Sequence, residues 1–423
     1  MTVILILGIL FALLLFGVPV ALALGSIGLG MLFFADLSPL IAPQGLLSAL
    51  DGFILLAVPL FLLMSNVLLK GGVGGDLYAA VQAWVGHWPG GLAVATVISC
   101  GLFAAISGSS VATAATIGTV AIPEMINRGY DKKFVYGLLA AGGTLGILIP
   151  PSIPMIVYGF VTEESVIALF LAGIGPGLFL LVMFCVYSMG YAAYHGMGRS
   201  EKTPMPQRLR ATLRIIPSMS LAAVVVGGIY SGIFTPTEAA AIGFAASVVL
   251  TALVLRTLTW KGFKEAAINS MATTVAILMI VACAKVFGKA IALYRIPQDL
   301  SAFISDTVSG PAGFVILVAF ILVLMGLVLE ALSMVLIMTP VLLPAALGLG
   351  IDPIWFGIFI VLMVEAALIT PPVGLNLYVI QSVARASLTD VARGALPFLA
   401  LMILCVVVLY LLPDLALYLP FKL

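Results

Sequence analysis

Apolar positions fall in long blocks along this chain, with few polar residues inside them. Ten blocks have the length and pattern of membrane helices: 2–16, 18–35, 47–70, 133–160, 165–194, 215–233, 237–256, 265–294, 354–384 and 396–416. A helix crosses a bilayer in about 20 residues. Two further blocks, 91–123 and 311–344, are too long for one crossing and too short for two crossings with a turn. Both carry polar residues at their centres: Ser107-Gly108-Ser109-Ser110 in the first, Glu330 and Ser333 in the second. This pattern predicts a re-entrant helical hairpin in each block, its tip near the midplane.

Proline pairs interrupt two of the long blocks. Pro150-Pro151 lies in 133–160 and Pro371-Pro372 in 354–384. Proline lacks an N–H and clashes with the preceding turn, so each pair breaks its helix. Broken backbone survives at membrane depth only where protein or a water-filled cavity covers the freed polar groups. Two such breaks in corresponding halves of a chain point to a transporter binding site. The halves keep register: Pro123 and Pro344 are 221 positions apart, and so are the two proline pairs. A short amphipathic piece precedes each hairpin, carrying Leu77, Val81, Trp84, Val85 and Trp88 in the first half and Leu300, Phe303, Ile304 and Val308 in the second. Such pieces suit helices lying at the membrane interface.

Basic residues orient these elements. Segment 195–214 carries Arg199, Lys202, Arg208, Arg210 and Arg214 against Glu201, which marks it as cytoplasmic. Counting crossings outward puts Arg128, Lys132 and Lys133 on the same side, with Arg256, Lys261, Lys264, Arg385 and Arg393. The second hairpin is flanked by Asp306 and Asp352, so it enters from the opposite face, and both termini fall outside. The expected fold is an all-α polytopic membrane protein with two inverted-topology repeats, each holding a re-entrant hairpin and a proline-broken helix. The first repeat covers 1–164, with hairpin 91–123 and broken helix 133–160. A connecting helix and basic loop cover 165–214. The second repeat covers 215–394, with hairpin 311–344 and broken helix 354–384, and a last membrane helix covers 395–423.

Composition agrees with this pattern. Of 423 residues, 63% are hydrophobic and 8% charged, and the mean hydropathy is +1.29. No water-soluble core absorbs that much apolar surface. The first block begins at Val3 without a basic flank or a cleavage site, and reads as a retained membrane helix. A net charge of +1 argues against nucleic acid as a partner. Cys100, Cys185, Cys283 and Cys405 lie singly in apolar segments and read as packing residues. His87 and His195 are far apart, and no Gly-x-Ser-x-Gly or His-Glu-x-x-His string occurs. The chain therefore does not read as an enzyme or as a holder of a catalytic metal.

The candidate chemistry sits at the two centres. A hairpin tip presents one helix C-terminus, whose carbonyls suit a bare cation, and one N-terminus, whose N–H groups suit a carboxylate. Ser107, Ser109, Ser110 and Thr113 add neutral oxygens, which suit a hard cation held reversibly. The same residues also suit close helix packing. In the second centre, Glu330 and Glu365 are placed to coordinate a cation, carry a proton or brace the helix break. Thr370 and Asn376 flank the prolines and are candidates for direct contact. Lys285 and Lys289, one turn apart, suit snorkelling, pairing with an acid, or an anionic substrate. Glu238 follows Pro236 at a helix start and reads as structural. Thr162-Glu163-Glu164 reads as a helix start with its cap and acidic first turn.

Six strings, 107–119, 142–152, 172–177, 235–243, 340–344 and 365–376, together resemble the large membrane subunit of tripartite ATP-independent periplasmic (TRAP) transporters. They are spread in order over nearly the whole chain. The resemblance implies a sodium-coupled importer of organic acids, typically C4-dicarboxylates or sialic acids, in the bacterial inner membrane. It implies a periplasmic binding protein that delivers the substrate, a small subunit of four membrane helices, and no cofactor beyond coupling sodium ions. It implies a scaffold and a transport domain that moves as an elevator. Carried onto this chain, one sodium site involves Ser107, Ser109, Ser110, Gly143, Gly146 and Pro150, and the other involves Glu330, Ser333, Thr370 and Gly374. Substrate contacts are expected from Ser109, Thr113, Ser152 and Asn376, and from Lys285, which with Lys289 departs from the family pattern and suits either a substrate-specific role or the subunit interface. The alternative is a stand-alone sodium/dicarboxylate symporter, which differs in not depending on a binding protein.

Overall fold

The computed structural model describes residues 2–422 apart from 36, 37, 39, 198–201, 308, 309 and 373. Arg199, Glu201, Val308 and Val373 thus lie outside the described residues, as do the side chains of Phe303, Ile304 and Asp306. The described residues form helices and their connections, with no strand among them. Seven helices are long and apolar enough to cross a membrane, or eight when a pair bent by 41° at the first proline break counts as one. The outer surface is apolar as well as the interior: Phe16, Phe33, Leu178, Val186 and Ile316 are all exposed. A surface of that kind suits lipid rather than water.

Each predicted hairpin block is a pair of helices. The first consists of Gly91–Ser107 and Ser110–Asn127, joined by Gly108 and Ser109. The second consists of Gly310–Met325 and Ala331–Gly348, joined by residues 326–330. Each proline pair separates a long proximal helix from a short distal one: Lys132–Leu148 from Ile153–Thr162, and Pro353–Leu368 from Leu375–Ala384. Both Pro-Pro bonds are cis. The proximal helices are the most buried elements of the molecule. Both arms of each hairpin lie on the proximal helix of their own half, while each distal helix reaches across to the other half. Leu375–Ala384 packs on Ser110–Asn127, and Ile153–Thr162 packs on Ala331–Gly348.

The 221-residue spacing extends to whole helices. Ser110 and Ala331 begin the second hairpin arms 221 positions apart, and Lys132 and Pro353 begin the proximal helices 221 apart. Asp131 and Asp352 cap those proximal helices with their carboxylates, at equivalent positions. Val166–Tyr194 and Leu388–Leu411 keep the same relation, starting 222 apart behind the capping serines Ser165 and Ser387.

An outer layer packs beside this centre. The long helix Trp260–Leu293 runs against Val20–Phe34, Ile41–Leu50 and Ala57–Lys70. Ion pairs join several of the exposed charges: Lys70 with Glu265 at 2.6 Å, Arg214 with Asp76 at 2.9 Å and Lys133 with Asp390 at 3.5 Å. Trp84 donates to Thr212, and the Arg208 guanidinium sits over the Trp84 ring.

Four expectations about boundaries change. The block 47–70 is interrupted: Ile41–Leu50 ends before Gly52, and a 3₁₀ turn, Phe53–Leu56, leads into Ala57–Lys70. Gly52 is extended there and lies against the Phe160 ring, so the chain bends where a side chain would not fit. The basic segment 195–214 is helical from Met205, because Pro204 and Pro206 start a helix that runs to Tyr230. The last block extends into a separate helix, Asp414–Lys422. Thr162 does not start a helix. It ends one, its hydroxyl donating back to Tyr158 O, while Glu163 turns left-handed and Ser165 supplies the cap. Glu238 does serve a helix start, closing a capping box with Thr235.

Candidate functional site: two hairpin tips around one cavity

The first tip is built by close approach. Gly91–Ser107 ends at Gly108, which is left-handed with φ +60°. A Cβ at Gly108 would stand 2.5 Å from the Pro151 carbonyl oxygen, so only glycine lets the tip meet the proline break. Ser109 caps the second arm, its hydroxyl accepting from Ala112 N at 3.3 Å. Thr113 donates to Ser109 O at 2.8 Å and shares a hydrogen bond of 2.9 Å with Ser107 Oγ. Gly146 lies against the same group, since its Cβ would be 2.6 Å from Ser109 O and 2.8 Å from Thr113 Oγ1. Ser107, Ser109, Thr113, Gly146 and the proline break thus form one knot of neutral oxygens and bare backbone. Ser152 caps the distal helix just behind it.

Ser110 points elsewhere. Its hydroxyl donates to Glu365 Oε2 at 3.0 Å and accepts from Asn376 Nδ2 at 2.7 Å. Asn376 also donates to Ala140 O at 3.1 Å. Gly143 borders this cluster, where a Cβ would be 3.2 Å from Asn376 Nδ2. All three polar side chains are buried, and Glu365 Oε1 and Asn376 Oδ1 have no hydrogen-bond partner. A tip of the first half is therefore tied to the broken helix of the second.

The second tip is simpler. Glu330 holds the N-cap position of Ala331–Gly348 without bonding the helix end, and Ser333 donates to its carboxylate at 3.2 Å. Thr370 turns its hydroxyl back to Ala366 O of its own helix, at 2.8 Å. Gly374 sits against Leu368 O and Leu377 beyond the prolines. No hydrogen bond among the described residues joins Thr370 to Glu330 or Ser333. Glu330 and Ser109 stand 221 positions apart, each as the N-cap of its second arm.

Both tips face one cavity of about 410 Å³. Gly108, Ser109 and Ser110 line it from one side and Glu330 and Ala331 from the other. Ile147 and Ile153 bring in the first break, and Leu368 and Leu375 the second. The outer layer closes it with Ser65, Asn66, Thr273 and Ile277. Among the residues expected to touch substrate, Ser109 lines this cavity. Thr113, Ser152 and Asn376 are fully buried behind its wall, and Lys285 lines a second, larger cavity. Ser65, Asn66 and Thr273 are the contributors that sequence reasoning passed over. The Ser65-Asn66 pair, alone among apolar neighbours in 57–70, was the signal available.

Comparison with known proteins adds the following. Residues 7–415 match the family model described as the DctM component of tripartite ATP-independent periplasmic transporters. The chain is 37% identical to the C4-dicarboxylate TRAP transporter large permease protein DctM of Rhodobacter capsulatus, with 99% of each covered. It is 32% identical to the sialic acid TRAP transporter large permease protein SiaM of Vibrio cholerae, covering 98% of this chain and 96% of that one. Among solved structures, the YdaH transporter of Alcanivorax borkumensis shares the fold at a TM-score of 0.60 and 14% identity, over 89% of this chain and 88% of that one.

Proposed function

The chain belongs to the DctM family of tripartite ATP-independent periplasmic transporters, and from that premise we propose that it is the large permease of a sodium-coupled importer of a carboxylate. The substrate class is that of its relatives, with C4-dicarboxylates first. The chain works in the bacterial inner membrane with a small four-helix subunit and a periplasmic protein that hands over the substrate. One observation carries the reading: two hairpin tips and two helix breaks, from opposite halves of the chain, bound a single cavity. Neutral oxygens at the first tip suit sodium, and the adjoining helix N-termini suit a carboxylate.

The halves are inverted repeats in this reading. Its support is the 221-residue spacing and the reciprocal crossing of the distal helices. The nearly equal spacing of 222 between Val166–Tyr194 and Leu388–Leu411 brings a further helix into each repeat. The hairpins and broken helices form the moving body, and the layer around Trp260–Leu293 forms the scaffold, so the cavity opens and closes as one slides past the other. Lys133, Arg214 and Lys70 face the cytoplasm, and both termini lie outside. Sodium drives import because its binding favours the substrate-competent tip, a linkage between two sites.

The test is uptake of radiolabelled succinate into proteoliposomes that hold the chain with a small membrane subunit and a periplasmic binding protein of the same transporter family. An imposed sodium gradient drives uptake. A proton gradient that sustains the full rate without sodium refutes sodium coupling and moves attention to Glu330 and Glu365. Uptake of free succinate by the chain alone refutes the tripartite arrangement.

A further inference from the structure

The larger cavity, of about 810 Å³, lies between Trp260–Leu293, Ala331–Gly348 and Ile153–Thr162. The tip cavity uses the same three helices a turn or so away. Ile277 lines the tip cavity and Val281 the larger one, as do Leu332 and Leu336 on the second helix. Residues four apart on a helix lie one above the other. The larger cavity therefore lies about one turn further along the same helices, placed as an approach to the hairpin tips.

Lys285 and Lys289 both line this approach. Four residues apart, they share one face of the long helix. Lys285 Nζ stands 4.8 Å from the centroid of the Phe160 ring. Neither lysine takes part in an ion pair among the described residues. Glu163 and Glu164 share the cavity wall at the end of the distal helix, and they too form no ion pair there. A snorkelling lysine carries its amine past the apolar layer to water. Lys285 sets its amine over the Phe160 ring, in a cleft that Lys289, Glu163 and Glu164 also line, where charge acts over a longer range than in bulk solvent.

We propose that Lys285 and Lys289 form a carboxylate-receiving site in the approach, ahead of the hairpin tips and separate from them. The Cβ atoms of residues one helix turn apart stand about 6 Å from each other, so flexible lysine stems can set two ammonium groups at a spacing that matches the two ends of a four-carbon diacid. The site concentrates such anions at the mouth and passes them inward to the tip cavity. It rests on the carboxylate reading given above.

Thiol chemistry on the full chain in membranes tests it. Gly288 lines the same cavity, and a Cβ there meets no atom within 4 Å. In Gly288→Cys, a negatively charged methanethiosulfonate reagent reacts faster than a positively charged one, each normalised to a neutral reagent, with the unmutated chain as background for Cys283. Lys285→Gln lowers that anion-to-cation ratio roughly tenfold, Lys289→Gln lowers it less, and Lys285→Arg keeps it. Ala292→Cys, on the same cavity wall, serves as a second reporter. At fixed sodium, succinate slows the anionic reagent in the parent and not in the double glutamine variant. A ratio that both glutamine variants leave unchanged overturns the proposal, as does a parent that favours the cationic reagent. Succinate protection that is the same, or absent, in both backgrounds overturns it too. None of these failures touches sodium-driven uptake, which is scored by the proteoliposome measurement.

Discussion

The two hairpin tips hold equivalent places in the chain and are built differently. The first turns through two residues, needs left-handed Gly108, and packs its backbone against Pro151 and Gly146. The second turns through residues 326–330 and places Leu329 where the first has glycine. The first tip caps its arm with neutral Ser109, and the second sets the carboxylate of Glu330 at the same position. Ser110 of the first tip is bound into the opposite half, whereas the side chain of Ser333 of the second bonds, among the described residues, to Glu330, three residues away. The difference teaches that the shared 221-residue spacing fixes where a tip goes and not what it does. One tip is a rigid cage of neutral oxygens, and the other is a lone acidic group on a looser turn.

The strongest way to break this contrast is Gly108→Ala. It combines left-handed strain with a Cβ 2.5 Å from Pro151 O, a cost of about 1–3 kcal/mol. Sodium-driven uptake is expected to fall roughly tenfold or more, while Leu329→Ala at the second tip has a smaller effect on uptake. Full uptake by Gly108→Ala would show that the first tip is not rigidly specified.

Glu365→Ala tests the tie between the halves. It leaves the buried Ser110 hydroxyl without the acceptor of its proton, so the thermal unfolding temperature in detergent should drop, by an amount equivalent to about 1–3 kcal/mol. Glu365→Gln should cost less, and Ser333→Ala at the second tip less still. Equal melting of Glu365→Ala and the parent would mean that the buried cluster contributes nothing to holding the halves together.

Ser109→Ala removes a helix cap worth about 1 kcal/mol. We expect it to raise the sodium concentration for half-maximal uptake several-fold with little loss of folded protein; Ser110→Ala should raise it as well, with a lower unfolding temperature because Glu365 loses its hydrogen-bond donor. Unchanged sodium dependence in both would take the first tip out of ion binding. Glu330→Gln sharpens the contrast, since it should alter the charge moved per transport cycle more than the sodium affinity, as read by electrogenic current.

Thr370→Val is the smallest perturbation. Its hydroxyl is spent on Ala366 O, so sodium dependence should shift by less than about threefold, the scale of one modest hydrogen bond. A larger shift would bring Thr370 into the second ion site after all.

Much of this arrangement was legible in the sequence because membrane segments have few ways to satisfy their backbone. Block lengths and the centres at Ser107–Ser110 and Glu330 fixed the hairpins, and the proline pairs fixed the breaks. Local competition was harder to read. Thr162 looked like a helix cap, but a threonine hydroxyl can equally bond the carbonyl four residues back, and it does so here. The Asp51-Gly52 interruption followed from contact with Phe160, a partner more than a hundred residues away. Periodicity carries no such information. For the same reason the sequence placed Ser110 in one centre and Glu365 and Asn376 in another, although one hydroxyl joins all three.

The crossing of the distal helices also constrains how the chain is made. Glu365 follows Ser110 by 255 residues and Asn376 by 266. As the ribosome feeds the chain into the membrane, the first hairpin must wait for most of the remaining protein before its polar tip finds its partners. Until then Ser110 depends on water or on temporary neighbours for its hydrogen bonds. The hairpin tip nearest the start of the gene is therefore among the last parts of the molecule to be completed.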